Sequence, residues 1–398
     1  MKLFALAKVT AAAVCAVSLT APAAAQTIKI GFITVSSGLN ASLGEYMEKG
    51  VRLYMKLHEK NLPPGVQIEL IPRDAGGPNP DRAKQLAQEL IVRDKVQLLT
   101  GVVFTPNALA IAPLVTEAKV PFVIMNAGTA VISTRSPYIA RVSFTLWQSS
   151  LPMGTWAAKK FKTAYVAVSD FGPGHDAQEA FTKGYTDAGG KIVGSVRMPL
   201  QNPDFAPYMQ RIKDAKPEAL FVFIPAGKQA TAIMKAFGEL GLDKAGIKLI
   251  GPGDITTDDE LPNMGDVPLG VLTVFHYSAA ADRPANKAFV AAWKKEYGQK
   301  SNPNFLAVGG WDGMDAIYYA IREQRGKIDP DKTMELLRRY TNPNSPRGPI
   351  AIDPETRDIV QNEYLREVRK VGGQLANIEV ETVATALKDP WKEIQKKK

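Results

Sequence analysis

The chain has 398 residues, a net charge of +9 and 45% hydrophobic residues. That length exceeds what a single hydrophobic core usually reaches, so about two domains are expected. Apart from the terminal KEIQKKK the basic residues are spread along the chain and are not interleaved with aromatics, which argues against a nucleic-acid surface and leaves the charge as a solubility feature with a modest preference for anionic ligands.

The first segment, MKLFALAKVTAAAVCAVSLTAPAAA, carries Lys2 and Lys8, an apolar stretch from Val9 to Leu19, and Ala23, Ala24 and Ala25 before Gln26. This is the pattern of a secretory signal over residues 1–25. The stretch falls short of the roughly 20 apolar residues that span a bilayer, and no later run comes closer. A periplasmic protein that does not itself span the membrane is expected. Cys15, the one cysteine, lies inside the signal and follows Ala-Ala-Val, so a lipid anchor is the lesser alternative. The 398 residues less a 25-residue signal leave 373, with a charge of +7 once Lys2 and Lys8 are gone. Lacking cysteine, that mature chain has no disulfide, thiolate nucleophile or cysteine-based metal site available.

Strand-like and helix-like segments then alternate. IKIGFITV (28–35) reads as a strand, and Leu43, Met47, Val51, Tyr54 and His58 repeat at helical spacing after it. VQIELIPRD, the helix DRAKQLAQELIVRD and VQLLTGVV follow. A helix is opened by Thr105 as N-cap with Pro106 at its first position, and PFVIMNAG is the fourth strand. The series restarts with AYVAVSD, a helix from Asp176 to Ala188, KIVGSVRM, a helix through Tyr208 to Lys213, ALFVFIP, KQATAIMKAFGELG and IKLIGPG. Two helical segments come next, and the tail, SPRGPIAIDPETRDIVQNEYLREV, has the alternation of hairpins. The pattern predicts an α/β protein of two doubly wound lobes, each a mainly parallel sheet with helices on both faces.

Enzyme motifs are missing. The histidines are His58, His175 and His276. His58 continues an apolar helix face and reads as packing. His175 and Glu179 stand four apart but without H-E-x-x-H around them, so no metal is expected there. There is no G-x-S-x-G elbow, AGKQAT lacks the rest of a phosphate loop, and FGPGHD has only G-x-G. No cofactor is expected.

Five segments in order, IKIGFITVSSG, RDAGGPNPDRAKQLAQELI, LTGVVFTPNALAIAPLVTEAKVPFVIMNAGT, SDFGPGHDAQEAF and PRGPIAIDPETRDIVQNEYLREVRKVGGQLANIEVET, resemble the type I periplasmic binding proteins of ABC importers, in the leucine/isoleucine/valine-binding branch. The resemblance spans essentially the whole mature chain. It implies two lobes joined by three hinge crossings, with 27–146 plus 276–345 forming one and 147–275 plus 346–398 the other. It also implies a small-molecule carboxylate captured in the interlobe cleft by hinge closure, a permease in the inner membrane as partner, a monomer, and no catalysis.

Ligands in such sheets sit beyond the carboxyl ends of strands, where helix N-termini offer free N–H groups to an anion. The loops concerned hold Ser36, Ser37 and Gly38, with Leu43 on the helix beyond; Phe104 and Thr105; and Ala127, Gly128 and Thr129. By the resemblance, Thr105, Ala127 and Thr129 hold the ligand carboxylate, although Thr105 also suits simple helix capping. The family's second-lobe aromatic and acidic positions read here as Phe171, without a hydroxyl, and Asp254, in place of Glu. Trp147 fits either an aromatic wall or the core, and Lys228 either a carboxylate partner or the surface. These departures put an aromatic carboxylate, of benzoate or cinnamate type, level with a branched-chain or other apolar amino acid as ligand. A secreted α/β enzyme or a ligand-sensing receptor subunit is the alternative function.

Overall fold

A computed structural model describes residues 26–201 and 203–397; the signal segment and Cys15 lie outside them. The first sheet is built from β1 (Gln26–Thr34), α1 (Ala41–His58), β2 (Val66–Asp74), α2 (Pro80–Gln88), β3 (Leu98–Gly101), α3 (Thr105–Ala118), β4 (Phe122–Ile124) and β5 (Ile139–Arg141). Its five strands are parallel in the order β2-β1-β3-β4-β5. β3 and β4 are wholly buried and β1 is buried from Ile30 to Thr34, as strands covered on both faces must be.

The chain then crosses into α4 (Leu146–Ala157), whose start is fixed by a reciprocal capping box between Thr145 and Gln148. Next come β6 (Thr163–Ser169), α5 (Gly172–Asp187), β7 (Lys191–Met198), α6 (Ala206–Ala215), β8 (Ala219–Phe223), α7 (Lys228–Glu239), β9 (Lys248–Pro252) and β10 (Leu272–Phe275). These strands form a parallel array β10-β9-β8-β6-β7. After β10 the chain returns to the first lobe as α8 (Pro284–Tyr297), α9 (Phe305–Glu323) and α10 (Pro330–Leu337), with α9 packed against α1. Close backbone approach is built in there: a Cβ on Gly50 would sit 2.0 Å from the Ala307 carbonyl oxygen. The tail supplies β11 (Thr341–Asn342), β12 (Ile350–Ile352), the long hairpin β13 (Ile359–Val371) and β14 (Gln374–Leu387), and α11 (Pro390–Gln395). β13 adds antiparallel to β10, so the second sheet reaches nine strands.

Three passages join the lobes: after β5, after β10, and after α10, where the chain enters the second sheet at β11. Arg347 ties them together. Fully buried, it pairs through Nε with Asp312 of α9 at 2.8 Å and donates through Nη1 to Ser143 O at 2.7 Å and Gln361 Oε1 at 2.9 Å, and through Nη2 to Val142 O. One guanidinium fork thus binds the first crossing, a first-lobe helix and the tail.

Candidate ligand site between the lobes

The end of β3 departs from regular structure. Gly101 has φ +101° and Val102 φ +64°, and a left-handed β-branched residue costs of order 1–3 kcal/mol. The distortion is held by Val102 N–H donating to Ile33 O at 2.7 Å and by Ala127 N–H donating to Val102 O at 3.2 Å. It turns Val103, Phe104 and Thr105 into the space between the lobes.

That space is a small cavity lined by both lobes. Phe171, half-buried, and Phe223, buried, stack at 6.1 Å between ring centroids on the second-lobe side. Phe144 of the first crossing and Phe305 at the start of α9 meet edge to face at 5.6 Å. With Phe104 these make five phenyl rings around one cavity, completed by Leu43, Leu146, Leu306, Val103, Pro173, Pro225 and Ala226; the polar wall is Thr105, Asn126, Gly128 and Asp254.

The loop after β4 is gripped from behind. Arg141 Nη1 donates to Ala127 O at 3.0 Å and Thr129 O at 2.7 Å, and Lys392 Nζ donates to Ala130 O at 2.8 Å. Both cations are buried against Asp358, with Asp389 also 3.0 Å from Lys392. Burial opposes the charge of Asp358, but Arg141 and Lys392 outweigh it and hold the carboxyl below the usual carboxylate range. In a trans peptide the N–H points away from the preceding C=O, so engaging Ala127 O directs the Gly128 N–H away from Arg141. In front, Thr105 Oγ1 and Thr129 Oγ1 share a hydrogen bond of 2.9 Å. Across the cleft, Asp176 of α5 accepts from Ala130 N–H at 2.7 Å. Burial pushes the Asp176 carboxyl up to about 7 despite that bond. The lobes are closed on each other at this point.

The sequence-predicted residues fall into two groups. Leu43, Phe104, Thr105, Gly128, Phe171 and Asp254 line the cavity, and Thr129 adjoins it through Thr105. Ser37 is exposed beside Asp74 and Gly76 rather than in the cavity. Ala127 is core, presenting only its backbone to the loop. Trp147 is 1% exposed and packs with Ala130, Ala180 and Trp391; Leu146 and Trp147 are adjacent on a helix, so only one of them can face the cleft. Lys228 is exposed at the start of α7. Thr105 is the first helical residue, after Phe104 as N-cap, and caps nothing; its hydroxyl is turned to Thr129. α5 starts at Gly172, not Asp176, which brings the helix's first turn against the first lobe. His175 bonds Asp170 at 2.7 Å on the surface, and His58 stacks on Tyr54 at 4.3 Å.

Phe144, Phe223, Phe305 and Asn126 were missed. Phe223 and Asn126 had a signal, since each stands at or just past the carboxyl end of a strand. Phe305 had none, because it arrives from a helix far along the chain.

The model of the family described as periplasmic binding protein matches residues 27–374. The chain belongs to the periplasmic binding protein family. This periplasmic binding protein is 43% identical over 378 residues, 94% of this chain and 96% of the relative, to Leu/Ile/Val-binding protein homolog 6 of Brucella melitensis. Its fold matches the solute-binding protein of an ABC transporter from Rhodopseudomonas palustris BisB5, in complex with 3,4-dihydroxybenzoic acid, with a TM-score of 0.88 and 51% identity over 92% of this chain and 99% of that one. A second R. palustris solute-binding protein, in complex with 4-hydroxybenzoate, matches with a TM-score of 0.87 and 44% identity over 93% of this chain and 100% of that one. The expected α/β fold of two hinged lobes is the observed one, and the protein is a binding protein, not an enzyme. Among the described residues no helix is long and apolar enough to cross a membrane.

Proposed function

We propose that this protein is the periplasmic solute-binding subunit of an ABC importer, and that it closes its lobes on a small aromatic carboxylate. The observation that carries the ligand class is the cavity's lining of five phenylalanine rings. Flat apolar walls of this kind favour a ring stacked or met edge-on. The carboxylate is received by the first-lobe loops at Thr105, Gly128 and Thr129. The benzoates bound by the two R. palustris proteins support the same reading. Residues 1–25 act as the export signal, the protein works in the periplasm as a monomer, and it docks on an inner-membrane permease when closed. The lobes comprise 27–146 with 276–345, and 147–275 with 346–398; the grouping of β1–β5 in one sheet and β6–β10 with β13 in the other supports this division, while β11 (Thr341–Asn342) pairs into the second sheet.

A second reading, a branched-chain amino acid, is favoured by Asp254 in the family's ammonium-partner position and by the Brucella relative's name. Thermal shift separates them. At 100 times its Kd a ligand stabilises the fold by about 2.7 kcal/mol, so 4-hydroxybenzoate is expected to raise the melting temperature and leucine to leave it unchanged. The reverse result would establish the amino acid.

A further inference from the structure

Two oxygen atoms are left over in the apolar cavity. Asn126 Oδ1 and Asp254 Oδ2 are buried without a hydrogen-bond partner among the described residues, and both residues line the cavity. The Asn126 amide is oriented by its Nδ2 donating to Val103 O at 2.8 Å, which leaves Oδ1 as the free end. Asp254, 5% exposed, stands just beyond the carboxyl end of β9. The cation nearest in effect, Arg366, is committed elsewhere: it donates to Thr273 Oγ1 at 3.1 and 3.0 Å, to Tyr277 O, and to Gly253 O at 3.5 Å. Native interiors leave few polar atoms unpaired, and two in one ligand cavity are acceptors for a donor the ligand brings.

The donor's nature follows from where the acceptors stand. The carboxylate-receiving hydroxyls and N–H groups belong to the first lobe, and Asp254 belongs to the second. A closed ligand with its carboxylate on the first lobe therefore presents its far end to Asp254. An α-amino acid carries its ammonium one carbon from its carboxylate, at the near end, and an ammonium has three donors to satisfy. A phenol carries one donor, and in a para-hydroxybenzoate it lies opposite the carboxylate across the ring. Burial drives the Asp254 carboxyl up to about 7, an environment better matched to a neutral hydroxyl than one that holds a carboxylate firmly charged for an ion pair.

We propose that Asp254 is the specificity-determining residue of the cavity, accepting a hydrogen bond from the para-hydroxyl of a hydroxybenzoate and thereby selecting phenolic acids over unsubstituted benzoate. Asn126 Oδ1 is the second acceptor, for a further ring hydroxyl. This rests on the aromatic-acid reading above.

The experiment is calorimetric titration of the wild-type protein and of Asp254→Leu with 4-hydroxybenzoate, benzoate, 4-fluorobenzoate and leucine. A lost hydrogen bond to a buried carboxyl corresponds to a preference of about 10- to 100-fold. The wild type is expected to bind 4-hydroxybenzoate more tightly than benzoate by that factor, and to bind 4-fluorobenzoate, which fills the para position but donates nothing, no better than benzoate. In Asp254→Leu the preference for the hydroxy acid is expected to fall to near unity, with cooperative thermal unfolding of the unliganded variant as the check that it is folded. Equal wild-type affinities for all three benzoates would overturn the proposal and leave the aromatic-acid reading standing. Tight leucine binding with no benzoate binding would overturn both. A preference that survives in Asp254→Leu would assign the hydroxyl to another group. Should the variant not fold, the wild-type comparison of the hydroxy and fluoro acids still decides.

Discussion

Gly172 of the second lobe lies against Thr105 and Thr129 of the first, and filling it is a direct test of closure. A Cβ there would lie 2.9 Å from Thr129 Oγ1 and 3.5 Å from both Thr105 Cγ2 and Thr129 Cγ2. The hydroxyl it meets is already engaged with Thr105 Oγ1, and β-branched side chains have little freedom at χ1 with which to yield. Overpacking of this order costs about 1–3 kcal/mol. In Gly172→Ala that cost falls only on the closed state, because Gly172 belongs to the second lobe and both threonines to the first. At 1.4 kcal/mol per tenfold, 4-hydroxybenzoate binding is expected to weaken by about 5- to 150-fold, and Gly172→Val is expected to be worse. The unliganded protein is spared that contact when the lobes part. Gly172 is the first helical residue and precedes Pro173, where alanine's helix-interior advantage does not apply, so the melting temperature without ligand is expected to hold within about 1 kcal/mol of stability. Calorimetric titration paired with melting of the free protein reads both. Wild-type affinity in Gly172→Ala, or an affinity loss matched by a loss of unliganded stability, would refute the reasoning.

The Asp176 to Ala130 bond crosses the same interface. Asp176→Ala is expected to speed ligand dissociation by about 10- to 100-fold, as a lost bond to a carboxyl implies, with Asp176→Asn restoring much of it because an amide oxygen still accepts; stopped-flow dissociation measures this, and an unchanged rate in Asp176→Ala would discard the latch. Lys392→Met leaves Asp358 and Asp389 without their shared cation, and breaking a buried ion pair on one side costs about 3–5 kcal/mol; urea unfolding should show that loss, and the double variant Lys392→Met with Asp389→Leu should recover part of it. Glu363 is buried with Oε2 unpartnered, and burial pushes it up to about 8 against the pull of Arg366. Its folded value lies above the unfolded value of roughly 4.3, so its contribution to stability is full below that and is lost as pH rises through about 8. Glu363→Gln is expected to show a shallower fall in melting temperature between pH 5 and 8.5 than the wild type, and identical slopes would exclude the effect.

Much of this protein is readable along one dimension. Apolar strands of four to nine residues alternating with helix-period segments can bury both faces only as parallel sheets, and the restart of the series at AYVAVSD announces the second one. The placement of ligands beyond the carboxyl ends of strands, applied to local sequence, reaches Phe104, Thr105 and Gly128, because a loop at the carboxyl end of a strand is positioned by that strand. Other assignments depended on direction, which sequence spacing does not give. Leu146 and Trp147 are neighbours, yet the rotation of about 100° between successive helical residues sends one into the cavity and the other under Trp391 of the C-terminal helix. Thr105 and Pro106 read as a cap and first turn, but the left-handed backbone at Gly101 and Val102 shifts the helix start and frees the hydroxyl for Thr129.

Two parallel sheets and the loops at their strand ends are legible in the one-dimensional pattern, because they follow from periodicity; that those loops meet in a cleft between two lobes is what the family resemblance implies. The character of the cavity comes only with tertiary packing. Phe144, Phe223 and Phe305 are separated by up to 161 positions and become one aromatic lining only when a hinge crossing, a second-lobe strand and a returning first-lobe helix converge. Whether Asp254 has a partner is likewise a property of the folded surroundings: the fold commits Arg366 to other oxygens and leaves Asp254 Oδ2 unpartnered among the described residues at the cavity wall.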